Sequence, residues 1–444
     1  MVTQPAFTHD RAGTPAAAWA ASPRWAAARD LVLPSTRSRL VVVGAHPDDE
    51  TLGAGGLIHA AACAGWPVDV VSATAGEGSH PGSTTHSTEE LAVRRRAELT
   101  TAISLLAPSA TVRCLDLPDG GVADDVAGLV ATLVEVIGID GDRVLLCAPW
   151  RHDGHPDHEA VGRAAAVAAV RTDAQLLEYP VWLWHWGGDD DLPWAETSTL
   201  SLAESARAAK RAAVAAHATQ VAPLSDRPGD EVLLGPDLLA HFDRSTEVFI
   251  AREAPVEDDS LDLVHRERED PWQVDSPYER RKRALTLASL PDETYGRALE
   301  VGCSVGALAV DLAGRCDDLL ALDASPEAIR LAQRRTSSLP HVEVRLAHVP
   351  EEWPDGTFDL VSVSEVGYFL SPRQLDEVVR RSRAALTERG HLLLCHWRHQ
   401  PVGWPLAGPA VHEAFLDAGL STGLEVLVEH QERDFLLHVL GAPR

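Results

Sequence analysis

Residues 40–56 read LVVVGAHPDDETLGAGG. The apolar run Leu40-Val41-Val42-Val43 is too short for a helix and predicts a buried strand. It ends at Gly44-Ala45. His46, Pro47, Asp48, Asp49 and Glu50 follow at once, then Gly53, Gly55, Gly56 and the helical run LIHAAACAG. Polar side chains at the carboxyl end of a parallel strand, ahead of a helix, sit where open α/β sheets place their ligands. The plainer reading is a polar turn with Asp48 or Asp49 as a helix N-cap. Against it stands a second cluster, RHDGHPDH at 151–158, which also follows an apolar run, VLLCAP at 144–149. Two strand ends that each present His and Asp point to convergence on one metal ion. Catalytic zinc takes two imidazoles and a carboxylate and keeps a fourth position open.

The spacing distributes the roles. His46 and Asp49 are three apart at a strand-to-helix turn, so both reach one ion, and His158 supplies the third ligand from the other strand end. Asp48, between two ligands, is then placed to act as general base on the water such an ion activates. His155 is left facing the open position, where it can steady an oxyanion or protonate a leaving amine.

These residues resemble the PIG-L (LmbE-like) family of metal-dependent de-N-acetylases, whose (A/P)HPDDE and HPDH boxes are both complete here. The resemblance covers roughly 39–251. It implies that His46, Asp49 and His158 bind Zn2+ or another divalent metal, that Asp48 is the base, and that His155 steadies the tetrahedral intermediate. It also implies an N-acetylated amino sugar as substrate. The segments TAGE at 74–77, RRAE at 95–98 and KRAAVAAHATQ at 210–220 look like the family too, with His217 and Gln220 expected to line the pocket.

Outward from that stretch, 39–251 alternates short apolar runs with amphipathic ones. Strands are predicted over 40–44, 68–72, 111–115, 144–148 and 176–179, and helices over 57–64, 89–106, 124–137 and 159–170. This rhythm predicts a parallel sheet covered on both faces. In the N-terminal extension, residues 1–38, Trp19 and Trp25 read either as a short packed helix or as a loose tail. His80 and His86 are lid candidates against a commoner reading as plain loop histidines. VWLWHWGG at 181–188 reads as a sugar-stacking platform or as a buried turn.

Residues 253–277 are charged and punctuated by proline, and predict a packed connector between domains at 39–252 and 278–444. After a helix over 278–290, the run ALEVGCSVGALAVDLAG is strand, glycine turn, helix. The turn opens with Glu300. Gly302 and Gly306 lack Cβ atoms, so a ligand can approach the backbone there. The next strand ends about twenty residues on in Asp323, where a carboxylate meets ribose hydroxyls in this architecture. A third, 358–365, ends in Ser364-Glu365. This order resembles the class I S-adenosylmethionine-dependent methyltransferases, with Ser304 in place of the middle glycine of the turn. The resemblance implies that Glu300, Gly302, Gly306, Asp323, His348 and Ser364 surround the cofactor, His348 lying where the adenine edge is read. DPW at 270–272, the YERRK helix, SEVGYFL at 364–370 and LLLCHWRHQ at 392–400 look closest to the nodulation-type N-methyltransferases. Glu365, Tyr368 and His396 are the candidates for orienting or deprotonating the acceptor amine.

The fold expected is therefore α/β throughout, two Rossmann-like three-layer α/β/α domains in series. The function expected is N-deacetylation of an amino sugar followed by N-methylation of the freed amine. The competing readings are separate substrates for the two activities, with methyl transfer to oxygen or to another amine, or a second domain without catalysis. A formal charge of −27 disfavours binding to nucleic acid or to anionic membranes. Six cysteines without a CxxC pair, no run long enough to cross a bilayer and no signal-peptide pattern predict a cytoplasmic protein. A homo-oligomer is left open.

Overall fold

A strand buried on both faces needs helices above and below it, and both halves of this chain meet that need. The computed structural model describes residues 12–251, 256 and 258–443, in two units, Met1–Val256 and Glu257–Arg444. The strands of the first unit are β1 (Arg29–Asp30), β2 (Arg39–Gly44), β3 (Val68–Thr74), β4 (Thr111–Leu117), β5 (Val144–Pro149), β6 (Gln175–Tyr179), β7 (Thr197–Ser201) and β8 (Thr246–Ile250). Their order across the sheet is β1-β7-β8-β6-β5-β2-β3-β4. Strand β2 is central, pairing in parallel with β3 on one side and β5 on the other. Its side chains alternate between two cores. Leu40 and Val42 join Leu52, Leu57 and Ile103 from the helices Asp49–Cys63 and Thr88–Leu106. Val41 and Val43 join Leu133 and Val161 from Val126–Ile137 and Pro156–Thr172. The chain steps from β2 to β3 in one direction and later places β5 on the other flank, so the gap between β2 and β5 is a topological switch point.

The second unit holds β9 (Tyr295–Val301), β10 (Cys316–Asp323), β11 (Val342–Leu346), β12 (Phe358–Ser364), β13 (Leu386–Trp397), β14 (Glu425–Gln431) and β15 (Phe435–Gly441). Their order is β11-β10-β9-β12-β13-β15-β14. Here β9 is flanked in parallel by β10 and β12, so β9 and β12 form the switch point. The helix expected over 278–290 is Pro277–Ala288, and Ser260–Glu267 is a further helix within this unit. No helix among the described residues is long and apolar enough to cross a membrane.

The three-layer α/β architecture agrees with the sequence reading, with instructive differences. Both sheets are mixed, because β8 runs antiparallel to β6 and β7, and β15 antiparallel to β13 and β14. Strand β7 is Thr-Ser-Thr-Leu-Ser, which no search for apolar runs finds. The helix expected over 57–64 starts at Asp49 instead. Its glycines lower helix propensity, but packing demands them: a Cβ on Gly53 would lie 2.0 Å from Tyr179 Cδ2. The described part of the N-terminal extension, residues 12–38, packs onto this unit, with Trp19 buried edge-on against Trp184 at 5.0 Å. That contact takes Trp184 into the core, so the run of tryptophans is no sugar platform; only Trp186 is substantially exposed.

Replacing Gly53 by alanine is expected to destabilise the first unit by about 1–3 kcal/mol, as overpacking does. Tyr179, whose hydroxyl donates to Val43 O at 2.6 Å, must give way. Chemical denaturation followed by tryptophan fluorescence measures the effect.

Candidate active sites

Because β2 and β5 are neighbours, with Val42 opposite Cys147, the two polar clusters that follow them are brought together. The ligand atoms of His46, Asp49 and His158 lie within 4.8 Å of one another, all three side chains buried. Asp49 is the first residue of its helix. Its Oδ2 accepts from the His46 backbone N–H at 2.8 Å and lies 3.5 Å from His46 Nδ1, while its Oδ1 lies 3.2 Å from His158 Nε2. His158 comes from the first turn of Pro156–Thr172, one step beyond the strand end assigned to it from sequence.

The imidazoles are oriented by carboxylates behind them. Asp153 accepts the N–H groups of Val181, Trp182 and Leu183 at 2.9, 2.9 and 3.0 Å, and its Oδ2 lies 2.8 Å from His158 Nδ1. A carboxylate so held requires the proton on Nδ1, which leaves the Nε2 lone pair of His158 facing Asp49 and His46. That Nε2 is buried and makes no hydrogen bond. His46 Nε2 lies 3.2 Å from both Asp119 and Asp157. Asp157 is itself fixed by the N–H groups of Gly120 and Val122.

Burial alone would depress the His158 imidazole, but Asp49 and Asp153 raise it to about 9, so a metal ion at Nε2 would take the place of a proton there. His46 is likewise raised against its burial, by Asp119, Asp157 and Asp49. Four carboxylates around two imidazoles suit a divalent cation, since buried charge must be paired or must coordinate metal. The orphaned His158 Nε2 and the two-imidazole, one-carboxylate donor set fit zinc.

Asp48 occupies the N-cap position at φ 141° but makes no capping hydrogen bond. It pairs instead with Arg95 at 3.1 Å, whose guanidinium also donates to Gly76 O and Pro47 O. Burial raises the Asp48 carboxyl to about 7, with Arg95 opposing and Asp49 adding to the rise. His155 Nδ1 accepts from the Asp157 N–H at 3.2 Å, which places the ring proton on Nε2. Its ring lies 5.0 Å from that of His46 and 4.8 Å from that of His158, and burial pushes it down to about 3, so it is neutral. His80 bonds Glu231 O, and neither it nor His86 joins a potential ligand group among the described residues. His217 is buried against Thr51, 3.1 Å from its hydroxyl.

In the second unit, Val301 at the end of β9 lies opposite Val363 near the end of β12. Gly302 and Gly306 take φ of 78° and 77°, and Ser304 takes 48°. A Cβ on Gly302 would lie 2.6 Å from Val366 Cβ. Asp323 accepts the N–H groups of Ser304 and Ser325 at 2.8 and 2.9 Å. Glu300 is buried, its Oε2 has no hydrogen bond, and burial with Asp323 nearby pushes it up to about 8. A glycine turn at positive φ with the unpaired Glu300 Oε2 beside it fits a polar cofactor. His348 is exposed and Ser364 half-buried at the end of β12.

Glu365, at φ 56°, accepts from Lys282 Nζ at 2.9 Å, from the Trp397 N–H at 3.2 Å and from the Tyr368 hydroxyl. Burial, then Glu365, raises the Tyr368 phenol well above its ordinary value. His396 does not face this cluster as a free base. Its Nε2 accepts from the Gly367 N–H at 3.1 Å, and its Nδ1 lies 3.0 Å from His412 Nε2. Both nitrogens are engaged, so it holds the turn that carries Tyr368.

Sequence reading missed Arg95, Asp119, Asp153 and Lys282 as individual participants. Asp119 follows a strand end, as His46 does, which was a usable signal. Arg95 and Lys282 lie in mid-helix, where only the fold shows what they face.

Comparison with known proteins agrees with this division. Residues 41–169 match the model of the GlcNAc-PI de-N-acetylase family, PIG-L, and residues 256–397 match that of Nodulation protein S, NodS. Nodulation protein S of Rhizobium tropici is 35% identical over 140 residues, 30% of this chain and 59% of that protein. The Bacillus cereus protein named "Probable N-acetyl-alpha-D-glucosaminyl L-malate deacetylase 2" is 32% identical over 136 residues, 30% of this chain and 61% of that one. The chain thus spans about three-fifths of either relative. The crystal structure of N-methyltransferase NodS from Bradyrhizobium japonicum WM9 with S-adenosyl-L-homocysteine is 26% identical, covering 42% of this chain and all of that one, at a TM-score of 0.38. By these matches a PIG-L-like segment, residues 41–169, is followed by a NodS-like methyltransferase segment, residues 256–397.

Proposed function

We propose that the chain is a bifunctional enzyme that removes the acetyl group from an N-acetylated amino sugar and then methylates the same nitrogen. The observation that carries it is the meeting of His46, Asp49 and His158 within 4.8 Å at one switch point, in a chain whose second switch point gathers Glu365, Tyr368 and Lys282.

In the first site His46, Asp49 and His158 would hold a divalent metal, most suitably zinc. Such an ion supplies Lewis-acid polarisation of an amide carbonyl and acidifies water. Asp48 takes a proton from the attacking water; its raised carboxyl matches a general base working near neutral pH, and Arg95 fixes its position. His155, neutral and protonated on Nε2, donates to the oxyanion as the carbonyl carbon becomes tetrahedral. The products are acetate and a free amine.

In the second site S-adenosylmethionine would lie along the turn from Gly302 to Gly306, with Asp323 at its ribose, and would supply an electrophilic methyl group. Glu365 binds the acceptor amine and takes up its proton, while Tyr368 and Lys282 hold the carboxylate in place. Alignment of amine and methyl group does most of the work. An acetamide nitrogen is delocalised into its carbonyl and is a far weaker nucleophile toward a sulfonium than a free amine, so deacetylation comes first.

Purified protein with zinc and S-adenosylmethionine is expected to convert an N-acetylhexosamine conjugate to its N-methylamine, read by product mass spectrometry. Methylation confined to oxygen or carbon would sink the coupling. Asp153→Asn is expected to weaken metal binding by about 10–100-fold, the usual effect of losing a carboxylate behind a histidine ligand. Competition with a chromophoric zinc chelator measures it. Glu365→Gln is expected to slow methyl transfer by about 100-fold or more while deacetylation proceeds at the parent rate, the scale of a lost proton acceptor.

A further inference from the structure

Ser304 stands where the glycine-rich turn of this class carries its middle glycine, and it holds φ at 48°. Its backbone N–H is tied to Asp323 at 2.8 Å, and its hydroxyl lies 3.5 Å from His265 Nε2. His265 is only 5% exposed. It belongs to the helix Ser260–Glu267, whose Asp262 accepts from the Ser325 hydroxyl at 2.7 Å and from the Glu327 N–H at 3.3 Å, docking the helix beside Asp323. Trp272 meets the imidazole edge-on at 6.3 Å. The other ring nitrogen, Nδ1, is buried with no hydrogen-bond partner among the described residues. A buried imidazole nitrogen left unpaired is costly unless a ligand satisfies it.

Carboxylates of Asp323, Asp262, Glu327 and Asp270 surround this histidine, yet burial outweighs them and keeps it below its ordinary value. It is therefore neutral near pH 7, with one nitrogen a donor and one an acceptor. Since the Ser304 hydroxyl occupies Nε2, Nδ1 is the atom left for a ligand.

We propose that His265 is a cofactor-binding residue whose Nδ1 hydrogen-bonds the nucleoside end of the methyl donor, with Ser304 fixing the ring. This rests on the S-adenosylmethionine reading of the second site. The nucleoside end is assigned because Asp323, the carboxylate expected at the ribose, is tied to Ser304, which faces the same imidazole.

Calorimetric titration of the full chain with S-adenosylhomocysteine tests this, with 5′-methylthioadenosine as a second probe that lacks the amino-acid end. His265→Ala is expected to weaken both ligands by about tenfold, the scale of one buried hydrogen bond. His265→Asn keeps a polar atom near the Nδ1 position and is expected to recover much of that loss. His265→Gln keeps one near Nε2 and is expected not to. Parent-like affinity in His265→Ala, equal losses in the Asn and Gln variants, or a loss seen with S-adenosylhomocysteine alone would each overturn the assignment. If the parent protein binds neither probe, the cofactor reading falls along with it. Thermal unfolding of each ligand-free variant separates lost folding from lost binding.

Discussion

Pairing between β2 and β5 is the constraint on which the first site depends. The two clusters are about a hundred residues apart in sequence, and neither holds a metal ion alone. Hydrogen bonds that set Val42 against Cys147 end both strands on the same side of the sheet. His46 and Asp49 then follow the end of β2 directly, and His158 stands in the first turn of the helix that follows β5. The sheet thus pays the entropic cost of assembling the donors before any ligand arrives. The second unit repeats the device with β9 and β12, where Val301 against Val363 brings the glycine turn beside Glu365. Two unlike sets of side chains occupy one topological address, so the loops and not the fold set the two sites apart.

What the sheet brings together, buried carboxylates then orient. Asp153 accepts three backbone N–H groups and holds the His158 ring so that one lone pair is free. Arg95 does the same for Asp48 from a different helix, bracing the loop through Gly76 O and Pro47 O as well. In the second unit Lys282 bridges Glu279 and Glu365 at 2.8 and 2.9 Å. Such pairs are weak evidence for stability, because desolvation offsets much of their attraction. Their value here is in geometry, fixing groups whose direction decides what they can bind.

These two kinds of information were unequally legible in the sequence. The core strands and the His46, Asp49 and His158 cluster were readable because each is local: an apolar run of strand length followed at once by chemistry-bearing residues. Strand β7 was not readable, because its alternating Thr and Ser carry no apolar run. Its place is set by pairing with β8, a contact between distant segments. Lys282 and Arg95 read as ordinary helix-surface cations, since sequence does not show which carboxylate a helix face will meet. His396 failed for the opposite reason. A histidine at a strand end looks like a base, and only the fold reveals that the Gly367 N–H and His412 consume its two nitrogens.

Backbone strain locates the sites by a route independent of motifs. Six non-glycine residues among those described hold positive φ: Asp48, Asp116, Asp173, Gln273, Ser304 and Glu365. Three of them, Asp48, Ser304 and Glu365, lie just beyond strands at the two switch points. Left-handed backbone costs an L residue free energy and persists where its surroundings over-determine it. At each of the three a hydrogen bond does so, from Arg95 to the Asp48 carboxylate, from the Ser304 N–H to Asp323, and from Lys282 to the Glu365 carboxylate. Glycine would relieve the strain at any of these positions but would remove the side chain. A strained residue held by a buried partner, at the end of a central strand, is therefore where this fold exchanges backbone comfort for a placed functional group.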